Sequence, residues 1–436
     1  MPGSGGAAGD PPAQRSTAWA IARLAVVAAV VAAVLLLAGL GTLLLVIVAL
    51  VIIVVFHELG HYLTAKASHM KVTEFFIGFG PRLWSVRRGE TEYGLKPILA
   101  GAYVKIPGMT NLEEVDEADE PRTYRQQPFH RRILVASAGS IMHYVMAFLL
   151  AWIAVVAFGT PSSTQVVVAG FTKWTGHAET AAQAAGLTVG ERIVSVDGRR
   201  IVTSTALGTA IESSGGASVR LVVTAHGRRS AMVVHPVAGH LRGSTEILGT
   251  APGKKTHWLI GVATVPQPLF VSQNALSAVA SAGTDVGHVT SATVLGIGRV
   301  FSPGGIAALY DQVTNPQAAA KAAKNPQSSN RVMSIVEATR LATQAERAGV
   351  YYFLSILIAL NIVLGLMNML PMLPLDGGHV AIAVYERIRT RRGKPYYHAD
   401  AAKLLPVAYA FMAVLLVIVG SAVFLDIAHP VANPFG

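Results

Sequence analysis

The chain has 436 residues, 52% hydrophobic and only 14% charged, with a mean hydropathy of +0.49 and a formal net charge of +11. Soluble domains carry about 25% charged residues, so this composition excludes a purely soluble protein, and its apolar content excludes a disordered one. There is no cysteine, which excludes disulfides, thiolate zinc sites, iron–sulfur clusters and a cysteine nucleophile. Any metal is left to nitrogen and oxygen ligands. Lysine and arginine that gather in cytoplasmic loops account for the positive charge. No basic block with interleaved aromatics exists, so nucleic acid is not an expected partner.

Residues 1–17 are rich in Gly, Pro and Ala and read as a disordered tail. Residues 24–56 then run without a charge, with Thr42 the only strongly polar group. As a helix this run is about 50 Å long, against a hydrocarbon core of about 30 Å. One span cannot use all of it, and Ala38-Gly39-Leu40-Gly41 is the place to break it. This gives a core transmembrane helix at 41–66 and a candidate extra one at 18–38. A cleaved signal peptide is the rival reading of 18–38, since Arg15 and Arg23 suit its basic end. An uncleaved span is favoured, because the apolar run continues past Gly41 without a polar stretch.

Residues 70–110 alternate aromatic and polar residues around Gly and Pro, the pattern of β-hairpins. A second span follows at 133–158. Residues 159–352 are long and largely polar. A third span covers 353–376 and a fourth 404–425, each long enough to cross. Between them, 379–403 carries Arg387, Arg389, Arg391, Arg392, Lys394 and Lys403 against Glu386 and Asp400. A short basic loop belongs in the cytoplasm. Working back through the spans puts 159–352 outside and 66–132 inside. The fold class is therefore a multi-span α-helical membrane protein with four core helices, a hairpin region against the membrane and an outer domain.

At the end of the first core span stands His57-Glu58-Leu59-Gly60-His61. Helix positions i and i+4 share a face, with Cβ atoms about 6 Å apart. Two imidazoles so placed converge on one zinc, and the intervening Glu58 is set to act as general base. On a soluble helix the bare pattern often arises by chance. Here it ends the apolar run 43–56, and ionisable groups at membrane depth are functional by default. A catalytic zinc wants a third protein ligand. The best candidate is Asp376, in Asn368-Met369-Leu370-Pro371-Met372-Leu373-Pro374-Leu375-Asp376-Gly377-Gly378-His379, at the level of the two histidines. The prolines break the helix, and broken backbone at membrane depth lines a cavity or lies buried in protein.

With these residues the sequence resembles the site-2 proteases, the intramembrane zinc metalloproteases, and most of all the bacterial branch that cleaves anti-sigma factors. The resemblance spans about residues 43–435. It extends to Phe76-Ile77-Gly78-Phe79-Gly80-Pro81, Arg88-Gly89-Glu90-Thr91-Glu92-Tyr93-Gly94, Gly101 and Pro107-Gly108-Met109. It implies Zn2+ held by His57, His61 and Asp376, with Glu58 as base and Asn368 and Gly377 positioning substrate. It implies a multi-pass protein of the cell membrane whose active site faces the cytoplasm. The implied substrate is a membrane-spanning regulator such as an anti-sigma factor, trimmed first by a site-1 protease, in regulated intramembrane proteolysis. One departure is Gly139-Ser140-Ile141-Met142-His143, where the family has Gly-x-x-x-Asn. His143 is open as ligand, hydrogen-bonding group or packing.

Within 163–265, Ala185-Gly186-Leu187, Gly190-Glu191-Arg192-Ile193 and Asp197-Gly198 resemble a PDZ domain of bacterial proteases, expected outside the membrane as a filter for substrates. Asp-Gly is also a hairpin-turn signal. Residues 266–352 read as an outer juxtamembrane region with helices. The competing reading of the chain is a zinc-binding PDZ scaffold without proteolysis. Intact Glu58 argues against it, since only catalysis needs that base. A transporter with broken helices would show inverted repeats, and none is found.

Overall fold

The computed structural model describes residues 26, 29–30, 33–109, 113–225, 228–242, 246–250, 253, 256–324, 331–390 and 397–431. The 1–17 tail lies outside these residues, and so does much of 18–38. Residues 33–37 are helical, and the chain turns at Ala38 and Gly39, where Gly39 takes φ +73°. Helix α1 (Gly41–Ala67) follows. Its Val and Ile run has no special helix propensity. In hydrocarbon a helix is the only single segment that satisfies its own backbone.

After α1 come strands β1 (Glu74–Phe79), β2 (Trp84–Arg88), β3 (Thr91–Leu95) and β4 (Ile98–Lys105), in one sheet of order β2-β3-β1-β4. Only β2 and β3 form a tight hairpin, turning at Gly89. β1 pairs with β3 in parallel, Glu74 opposite Glu92, and with β4 antiparallel, Phe75 opposite Val104. A series of hairpins is therefore not what forms. Period-2 alternation fixes faces but not strand direction. β4 is an edge strand and packs along α1. Helix α2 (Phe129–Phe158) follows. Ala65, Met70, Val72, Ile106, Tyr124, Val135 and Ala136 form one buried cluster there, locking the end of α1 to the start of α2.

By contacts the chain divides into two compact units, residues 1–153 with 279–435 and residues 154–278. The second unit contains β5 (Thr160–Phe171), β6 (Lys173–Trp174), β7 (Arg192–Val196), β8 (Arg199–Arg200), β9 (Val219–Ala225), β10 (Arg228–Val234), β11 (Val237–Arg242), β12 (Glu246–Leu248), β13 (His257–Leu259) and β14 (Val262–Val271). Its larger sheet runs β10-β9-β7-β5-β14, with β8 beside β7. Short helices α3 (Ala181–Ala184) and α4 (Ser204–Glu212) cover it. Thr180 caps α3 in a capping box with Gln183, and Thr203 caps α4. Leu221 and Val223, two apart on β9, enter the core with Ile193 and Val196 of β7, which flank a register shift, and with Leu207 and Ile211 of α4. Asp197 and Gly198 both have positive φ, as a two-residue hairpin of the favoured twist requires. The outer pairing runs from Thr160 opposite Val271 inward, beyond the expected limits 163 and 265.

The first unit resumes with α5 (Ala275–Val300), α6 (Pro303–Thr314), α7 (Pro316–Lys324), α8 (Ile335–Ala348), α9 (Val350–Asn368), α10 (Asp376–Arg389) and α11 (Ala401–Ala428). Among the described residues four helices are long and apolar enough to cross a membrane: α1, α2, α9 and residues 403–428 of α11. The pair α5 and α6 meets the same measure only when taken together, bent by 72°. Two expectations change. The third span ends at Asn368, not 376, and residues 369–375 turn the chain before a new helix. The stretch 379–403, read as a loop, is helical as far as Arg389, while 391–396 lie outside the described residues.

Candidate metal centre

One turn of α1 puts His57 and His61 on the face turned to α2, both buried. Helices come this close only where side chains are small. A Cβ on Gly60 would lie 2.6 Å from the Ala138 carbonyl oxygen. A Cβ on Gly139 would lie 2.3 Å from His57 Cε1 and 2.5 Å from His61 Nε2. Gly139 is thus the floor on which both imidazoles rest.

Asp376 reaches the same point from α10. It is the first residue of that helix, where the N-terminal dipole favours an acid. It is not a helix C-terminal residue, as a span continuing to 376 would make it. Gly377 and Gly378 permit the turn. A Cβ on Gly377 would lie 2.3 Å from the Met369 carbonyl, and one on Gly378 would lie 2.6 Å from Leu373 N.

The result is a nearly equilateral triangle. His57 Nε2 and His61 Nε2 are 3.3 Å apart, and Asp376 Oδ2 lies 3.3 Å from the first and 3.2 Å from the second. Ligands on a tetrahedron of 2.0–2.1 Å bonds stand about 3.3–3.4 Å apart. The donor set therefore fits zinc in spacing as well as in type. Among the described residues these three form the one such group. His61 Nδ1 donates to the Val135 carbonyl at 2.7 Å, which leaves the Nε2 lone pair facing the centre.

Glu58 is half-buried beside the centre, and the backbone of Val104 on edge strand β4 lies near its carboxylate. His143 is buried with its ring 5.0 Å from that of His57, but it stands outside the triangle. Its Nδ1 lies 3.2 Å from Asn361 Oδ1, and the Asn361 amide donates to the Leu357 carbonyl at 2.9 Å. That second bond makes the amide oxygen the group facing His143, so Nδ1 carries the proton and Nε2 is the acceptor. Sequence reasoning passed over Asn361. Its signal was a single amide inside an apolar span, and it is fully buried. Asn368 ends α9 and makes no side-chain hydrogen bond among the described residues. Gly377 packs against backbone.

A profile of peptidase family M50 matches residues 45–416. The chain belongs to that family. It is therefore a zinc metalloprotease of the site-2 type, and the matched stretch contains both metal motifs. Among similar proteins is the zinc metalloprotease Rip1 of Mycolicibacterium smegmatis, 29% identical over 403 residues, covering 87% of this chain and 94% of that protein. The zinc metalloprotease Rip1 of Mycobacterium tuberculosis is 30% identical over 402 residues, with coverage of 87% and 94%. Site-2 proteases act on membrane-anchored substrates, and the four apolar helices agree with a multi-pass membrane protein.

Proposed function

We propose that His57, His61 and Asp376 hold the catalytic zinc and that Glu58 is the general base. The site would cut a transmembrane segment of a membrane-anchored regulator, such as an anti-sigma factor already trimmed by a site-1 protease. The observation that carries the reading is the triangle of donor atoms at 3.2–3.3 Å. Zinc bound there polarises a carbonyl and lowers the pKa of water. Glu58, adjacent to His57 on α1, would take a proton from the attacking water and return one to the leaving amine. Asn368 and Gly377 sit on the two sides of the turn that delivers Asp376 and are assigned to substrate placement.

A transmembrane helix sheathes its own carbonyls and must unwind before it is cut. β4 is a sheet edge whose Val104 lies at Glu58. An unwound segment adding to that edge would be held extended by backbone hydrogen bonds. The unit at 154–278 is assigned as an outer PDZ-like filter, on its Asp197-Gly198 hairpin and capped α4. The basic residues between 387 and 403 support a metal centre that faces the cytoplasm. Residues 18–38 are assigned as an uncleaved span.

The test is cleavage of a candidate anti-sigma factor by wild type and by Glu58→Gln in the same membranes. Loss of at least a thousandfold with zinc content unchanged is expected. Equal product from both would leave the non-proteolytic scaffold as the reading.

A further inference from the structure

The larger sheet of the 154–278 unit carries a feature that peptide hydrolysis does not use. An open cleft of about 490 Å3 is lined by Arg192, Arg200 and Arg229, with Gln165, Ser195 and Val202 among the other walls. Among the described residues no acidic one lines it. The three arginines come from three strands, and the ladder brings them together. Arg192 on β7 is opposite Thr224 on β9, and Thr224 is opposite Arg229 on β10. Directly paired residues share a face, so Arg192 and Arg229 stand on one face, two strands and about 10 Å apart. Arg200 on β8 is opposite Ser195.

Among the described residues none of these guanidinium groups has an ion-pair partner. The acids nearest in sequence are turned elsewhere. Glu191 Oε2 accepts the Thr188 amide at 3.0 Å, and Asp197 Oδ1 accepts the Arg220 amide at 2.7 Å. Gln165 Oε1 accepts from Arg192 Nη1 at 2.6 Å, which holds one guanidinium in place while its other N–H groups stay available. Three like charges in one cleft repel, and an anion between them reverses the sign. One guanidinium serves the two oxygens of a planar carboxylate. Three forks from three sides suit a tetrahedral group with at least three oxygens.

We propose that this cleft binds a phosphate group, either free or as the headgroup of a phospholipid. The proposal goes beyond the protease reading and stands independently of it.

The probes are inorganic phosphate and dihexanoyl phosphatidic acid, titrated into the full-length protein in uncharged detergent, with acetate as the carboxylate control. Binding is read by calorimetry. Phosphate-class binding is expected to weaken about tenfold for each arginine replaced by glutamine, and at least a hundredfold in the Arg192→Gln, Arg200→Gln, Arg229→Gln triple variant. Phosphatidic acid binding tighter than inorganic phosphate assigns a lipid headgroup. Equal binding assigns free phosphate. Arg229 is exposed, so Arg229→Gln alone keeps the test available should the triple variant fail to fold. Binding unchanged by Arg229→Gln, or acetate held as tightly as phosphate, overturns the proposal.

Discussion

Gly139 of α2 lies directly beneath His57 of α1, so that a Cβ at 139 would fall 2.3 Å from His57 Cε1. No real Cβ approaches a ring atom so closely, and both imidazoles rest on the same spot. Gly139→Ala must push His57 and His61 off the triangle or drive the helices apart. Zinc affinity should drop about 10–100-fold, the range seen when the support of a metal ligand is lost. The check is zinc per mole of purified protein by atomic absorption, beside a circular dichroism spectrum. Gly287, with nothing within 4 Å of its hypothetical Cβ, provides the control, and Gly287→Ala should keep its zinc. Full zinc content in Gly139→Ala would mean that the floor is softer than the geometry implies.

Asp376 completes the triangle from another helix. Without it two imidazoles remain, and two ligands hold a catalytic zinc poorly. Asp376→Ala should lower zinc occupancy at least tenfold and abolish cleavage. Unchanged occupancy would move the third ligand elsewhere, with His143, 5.0 Å ring to ring from His57, the first suspect.

What could be read in advance follows from range. The His57–His61 pair is local, because four residues on a helix fix their separation whatever the helix touches. Asp376 was legible as a residue but misplaced as an element. The apolar run 353–375 continues through Pro371 and Pro374, and hydropathy does not see where the helix stops. The structure ends it at Asn368 and restarts it at Asp376, turning an acid opposed by a dipole into one favoured by it. The parallel pairing of β1 with β3 is a choice of partner, and alternation carries no direction. The arginine cleft is the furthest from view. Arg192 and Arg229 meet only through the register of three strands.

Glu90, in the turn between β2 and β3, ties the sheet to the end of α1. Its carboxylate takes two N–H groups of Arg122 at 2.8 Å and Lys66 Nζ at 2.7 Å. Hydrogen bonds from Arg122, then from Lys66, pull its pKa from an ordinary 4.5 to about 2. A depressed carboxylate stabilises the fold fully above its unfolded pKa, and the contribution disappears as pH falls toward the folded value. Glu90→Gln should therefore melt at lower temperature than wild type at pH 6–7. The gap should close as the pH drops from about 4.5 toward 2. Melting in detergent across that range is the measurement, and a gap that stays constant to pH 3 would show that the cluster does not act through charge.

If the 154–278 unit filters substrates, removing it should widen what is cut without touching the metal. The structure sets where to cut. An excision at 163 and 265 would leave stubs of two strands that pair from Thr160 opposite Val271 onward. Exposed strand edges invite aggregation. Removing residues 160–271 takes both strands whole. The ends left behind are close, since a Cβ on Gly159 would lie 2.3 Å from the Val271 carbonyl oxygen, so a short Gly-Ser linker closes the gap. Zinc content of the shortened protein should equal that of wild type, because His57, His61 and Asp376 all belong to the other unit. Its cleavage of an untrimmed substrate, absent in wild type, should rise to at least tenfold above background. A well-expressed, zinc-loaded deletion that still cuts only trimmed substrate would reject the filter and leave the unit a structural role.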